Sequence, residues 1–73
     1  MKDYERAQIE ALSDSDPELR GLWHEHLDFE RKLADFDRQS HLTPGEMLER
    51  KQIQKLKLAG KDRIAQILAR HAG

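Results

Sequence analysis

Along this 73-residue chain the seam-forming positions recur at alternating spacings of three and four, the period of a helix that buries one stripe. Between about residues 17 and 39 they are Leu19, Leu22, His26, Phe29, Leu33 and Phe36, with Trp23 beside the line. Between about 44 and 71 the pattern returns less cleanly through Ile53, Leu56, Gly60, Ile64 and Ile67. A shorter set, Tyr4, Ala7, Ile9, Ala11 and Leu12, predicts a short helix ahead of them. At ~1.5 Å per residue the two long segments run roughly 35 and 42 Å. Arms of similar length joined by a short turn should lie side by side. The expected fold is all-α: an antiparallel two-helix coiled-coil hairpin with a short N-terminal helix. It forms one domain over residues 1–73, with helices at 3–12, 17–39 and 44–71.

The punctuation agrees with this division. In Ser13-Asp14-Ser15-Asp16-Pro17 small cap-forming residues precede a proline, so Asp16 reads as an N-cap and Pro17 as the first helical position, with Glu18 adding a favourable charge. In Leu42-Thr43-Pro44-Gly45-Glu46, Thr43 caps the next helix and Glu46, three residues on, completes a capping box. With the turn centred near Leu42, Phe36 faces Met47, Phe29 faces Ile53 and Gln54, His26 faces Lys57, Trp23 faces Gly60, and Leu19 faces Ile64. A glycine inside a helix costs ~1 kcal/mol relative to alanine. Opposite the largest side chain in the protein, Gly60 is read as making room for the indole of Trp23.

Three stretches carry a family resemblance: Leu22-Trp23-His24-Glu25-His26-Leu27-Asp28-Phe29-Glu30, the helix start at Leu42 to Glu46, and Lys55-Leu56-Lys57-Leu58-Ala59-Gly60-Lys61-Asp62-Arg63-Ile64. Over roughly residues 15 to 70 the chain resembles the YdcH-like family of small bacterial helical-hairpin proteins. Their leucine or phenylalanine pair with a histidine three positions later maps onto Leu22, Trp23 and His26. Their Lys-Leu-x-Leu-Lys-Asp-x-Ile signature maps onto Lys57, Leu58, Lys61, Asp62 and Ile64. Gly60 stands in place of the second leucine and Leu56 in place of a usually charged residue, so the hairpin packing is expected to be locally rearranged there. The resemblance implies a helical hairpin and brings no catalytic residues.

Charge sharpens the picture. Residues 1–40 hold six Lys/Arg against eleven Asp/Glu, a net of −5, while residues 44–71 hold seven against three, a net of +4. Each arm can neutralise the other. The basic residues Arg50, Lys51, Lys55, Lys57, Lys61 and Arg63 form a candidate nucleic-acid face, since they could contact phosphates. No aromatic residues interleave them for stacking, and Asp28 falls opposite Lys55, so a solvated, internally paired face is the favoured reading and nucleic acid the secondary one. The chain has no cysteine, which excludes disulfides and Cys-based zinc sites. It opens on no apolar run of signal-peptide length and has no stretch near ~20 apolar residues, so a cytoplasmic protein with no membrane contact is expected.

Chemistry is sparse. His24 and Asp28, like His26 and Glu30, stand one helical turn apart as metal ligands can, yet His24 and His26 point to different sides of a helix and cannot share one ion. His26 is read instead as a packed seam histidine with one nitrogen bonded to a neighbour such as Glu30, its charged form disfavoured near Lys57. No metal, no cofactor and no enzyme activity are expected. A core this small seldom supplies more than ~3 to 5 kcal/mol, which favours self-association, a dimer first. Leu27, Met47, Leu58 and Ala65 lie off the seam as the candidate oligomer or partner face. The function the residues point to is a non-enzymatic protein-interaction module that self-associates and meets some cytoplasmic protein partner.

Overall fold

The computed structural model describes residues 3–72, which form three α-helices and, among the described residues, no strand: α1 (Asp3–Ser13), α2 (Pro17–Asp37) and α3 (Pro44–Ala72). The side chain of Tyr4 lies outside the described residues. Each start has a local cause. Asp16 is extended (φ −128°, ψ 98°), its carboxylate accepts the Leu19 N–H at 3.1 Å, and Pro17 follows at the first helical position. Ahead of α3 the Thr43 hydroxyl accepts the Glu46 N–H at 3.1 Å while the Glu46 carboxylate accepts the Thr43 N–H at 3.0 Å, a reciprocal capping box. α2 stops at Asp37, two residues short of the expected 39. The Arg38 N–H donates to the Ala34 carbonyl and the Gln39 N–H to the Phe36 carbonyl, which tightens and closes the last turn.

α2 packs against both other helices, most extensively against α3. Ion pairs tie its ends to α3. Glu18 accepts from Arg63 at 2.8 Å and lies 3.5 Å from Arg70, Asp16 meets His71 at 3.2 Å, and Asp37 meets Arg50 at 3.1 Å. The molecule is elongated, 44 × 18 × 18 Å. Its main core gathers where α1 joins: Ile9, Leu19, Trp23, Ile64 and Ile67 are buried together, with Leu12, Leu22, Leu27 and Leu68 packed around them. Two helices cover only the stripe between them, whereas a third encloses a volume, so burial is deepest where three meet. Leu33 and Ile53 are buried farther from that cluster.

This arrangement corrects three expectations. Leu56, placed in the seam, is 54% exposed. Leu27, placed on a partner face, packs against the core instead. Gly60 does not house the indole of Trp23: a methyl group added there would meet nothing within 4 Å. The reason is the direction of the tryptophan, whose ring lies 5.6 Å beneath the Arg6 guanidinium of α1 and stacks on His26 of its own helix. The helical Gly21 is equally open. Gly21→Ala and Gly60→Ala are each expected to add ~1 kcal/mol, because alanine removes the backbone-entropy penalty and strikes nothing. Each should raise the midpoint of a circular-dichroism melt by about 4–8 °C; a lowered midpoint would mean that these helix faces are covered.

Candidate functional site

The seam on α2 resolves into two lines of seven-residue spacing. Leu19, His26 and Leu33 are buried, while Leu22, Phe29 and Phe36 are only half-buried. On α3, Ile53, Ile64 and Ile67 are buried and Gly60 is half-buried. His26 is the one ionisable side chain in the buried set, 3% exposed. Its ring stacks on Trp23 with centroids 5.5 Å apart and planes 12° from parallel. Nε2 lies 2.7 Å from Glu30 Oε1, and Glu30 in turn accepts from Arg6 of α1 at 3.0 Å. An ionised carboxylate can only accept, so Nε2 carries the proton and Nδ1 is left as a buried lone pair without a partner.

Electrostatics follow from that geometry. Burial holds the His26 ring below the ordinary histidine value; Glu30 pulls it upward, while Lys57 and Arg6 push it down. Burial pulls Glu30 upward, but the hydrogen bond and charge of Arg6, with His26, bring it below the usual carboxylate range. Both shifts act in one direction on stability. The depressed histidine costs stability as pH falls from its unfolded value near 6.5 through its lower folded value, and the depressed carboxylate does so as pH falls from its unfolded value near 4.5 through its lower folded value. The melting midpoint is therefore expected to be flat above about pH 7 and to decline in two stages on acidification. His26→Leu should keep or raise stability at pH 7, since an apolar side chain of similar size replaces an incompletely bonded polar one, and should erase the upper stage. Persistence of that stage in the variant would assign it to another group.

The described residues bring no group of three or more His, Asp or Glu together as around a metal ion. His24 and Asp28 are both exposed, and Asp28 is bonded to Arg31 instead. Among the described residues α1 and α3 bound an open cleft of about 280 Å³, lined by Glu5, Gln8, Ile9, Lys61, Ile64, Ala65 and Leu68. That is at the lower limit for a small-molecule pocket; it suits an apolar side chain or two. Ala65, placed on the partner face, is here. Leu58 and Met47, seven and eighteen residues before it, continue the same side of α3 and are 59% and 57% exposed. Leu68 and Ile9 were not read as a site, although Leu68 follows Ile64 by one helical turn. No helix among the described residues is long and apolar enough to cross a membrane.

The basic residues separate by type. Arg50 and Arg63 of the candidate nucleic-acid face are held by Asp37 and Glu18, so the structure removes them from a free basic surface. Lys51, Lys55, Lys57 and Lys61 make no ion pair with any described residue, and the pairing of Asp28 with Lys55 is replaced by Asp28 with Arg31. The planar guanidinium fork suits carboxylates across the helix interface, while the flexible ammonium stays hydrated. Set against known proteins, the chain matches no family model, no curated protein and no solved structure. What the fold defines is the class, an all-helical protein built on three packed helices.

Proposed function

We propose that this chain is an antiparallel helical hairpin with a short bracing helix, acting in the cytoplasm as a non-enzymatic interaction module that self-associates and engages a second protein. The hairpin reading is supported by the ion pairs that join the start of α2 to the end of α3 and the end of α2 to the start of α3. Motif order along Leu22–Glu30, Leu42–Glu46 and Lys55–Ile64 supports kinship with the YdcH-like proteins. The observation that carries the interaction reading is the surface of α3. Met47, Leu48, Leu56 and Leu58 stand 54–59% exposed on one helix of a 73-residue protein. Scattered apolar residues are ordinary on a surface, but Met47, Leu58 and Ala65 share one line that runs into the apolar cleft beside α1. Such a line accepts the apolar face of a partner helix.

Light scattering behind size exclusion at micromolar concentration should give a mass above 8.6 kDa. A fully helical monomer would overturn the self-association. A second reading, nucleic-acid binding, is favoured by the four lysines of α3 that lack ion-pair partners among the described residues. Retention on a polyanion with a steep salt dependence would select it, because phosphate contacts release counterions and apolar helix docking does not.

A further inference from the structure

We infer that two copies of this chain join through the side of the hairpin that carries Leu22, Phe29, Phe36 and Leu56, with their α2 helices antiparallel about a two-fold axis beside Phe29; the inference rests on the proposed self-association and names its surface. The three α2 residues recur every seven positions and each keeps part of its surface exposed, Leu22 at the edge of the core cluster and Phe29 and Phe36 beyond it, whereas Leu19, Trp23, His26 and Leu33 of the same seam are buried. Leu56 lies on the same side. It shares a helix face with Arg63, seven residues on, and Arg63 is bonded to Glu18, which begins the face of Leu22 and Phe29. α1 cannot cover this stripe, because Arg6 and the Trp23 ring place it on the other side of α2.

Charge selects a second copy as the occupant. Flanking the stripe are Glu25 and Lys32, seven residues apart on one line, both exposed and neither paired with a described residue. They sit four residues before and three residues after Phe29. An antiparallel copy of α2 therefore sets Glu25 against Lys32 of the second copy, and the two-fold axis repeats the pair, while Leu22 meets Phe36 of the second copy. Such self-complementarity is what an isologous interface requires. Phe29 is close to the middle of α2 (Pro17–Asp37), so overlap along the helix is nearly complete. The molecule's 44 × 18 Å side bounds such an interface at roughly 800 Å² per partner, large enough for the area a standard stable interface buries. The result is a four-helix layer that leaves the line Met47, Leu58, Ala65 and the cleft free for a different partner.

The test uses the full chain, sedimentation equilibrium and circular dichroism. Glu25→Lys and Lys32→Glu should each weaken the dimer about tenfold or more while leaving helicity unchanged, since each turns two symmetric attractions into repulsions. The double variant should regain parental affinity. An equimolar mixture of the two single variants should form the mixed dimer in preference to either homodimer, because every facing pair in it is again opposite in sign. A parental dimer whose affinity ignores all these changes would overturn this surface and leave self-association standing. A parental chain that stays monomeric at every concentration would overturn both.

Discussion

Trp23→Ala is expected to leave the protein largely unfolded at 25 °C. The indole is 3% exposed and sits among Ile9, Leu19, Ile64 and Ile67, so its removal opens a cavity bounded by all three helices. It also takes away the ring on which His26 stacks and over which the Arg6 guanidinium lies. Truncating a buried tryptophan costs ~3–5 kcal/mol, and a core of this size supplies about the same amount in total. Loss of most helical ellipticity at 222 nm, with no cooperative melt, is the result to look for. Trp23→Phe should retain a cooperative transition at a lower midpoint, because the ring and most contacts survive. A cooperative alanine variant melting within a few degrees of the parent would show that the core lies elsewhere.

Made alone in the parent chain, Ile9→Ala should remove most of its stability, ~2–5 kcal/mol, and it separates two descriptions of α1. Ile9 is fully buried and bridges α1 to Leu19 and Trp23 of α2 and to Ile64 and Ile67 of α3. If α1 braces the core, its truncation weakens α2 and α3 along with α1. Hydrogen exchange gives the readout: amides of residues 5–13 should lose protection first, followed by those around Trp23 and Ile64, with the far stretch near Leu33 and Ile53 least affected. A variant in which only α1 loses protection, with the midpoint unchanged, would make α1 an appendage that the other two helices do not need.

Helix starts were legible in the sequence because a cap is a local device. Asp16 with Pro17, and Thr43 with Pro44 and Glu46, each complete their hydrogen bonds within four residues. The end of α2 was not, since it is closed by backbone bonds of Arg38 and Gln39 that any side chain permits. The seam was legible as a period, and Leu19, His26, Leu33, Ile53, Ile64 and Ile67 are buried on it. His26 showed its character for the same reason, its Glu30 partner being one turn away on the same helix.

The sequence by itself thus determined three helices, their starting caps, the spacing of the stripe and the opposite net charge of the two arms, all properties written within a few residues or summed over many. Which stripe residues are enclosed was decided only by the tertiary structure. Leu56 satisfies the seam spacing but stands exposed, Gly60 satisfies it and is half-buried with open space in front of it, and Leu27 leaves the spacing yet packs against the core. Trp23 was read against Gly60 because a period relates only the two long arms; the structure turns it toward Arg6 and Ile9 on the short one. The partners of the charges were beyond the sequence in the same way, since Arg6 reaches Glu30 and Arg63 reaches Glu18 across 24 and 45 residues. A period fixes an angle around one helix axis, and enclosure depends on where the other axes run, which no single helix records.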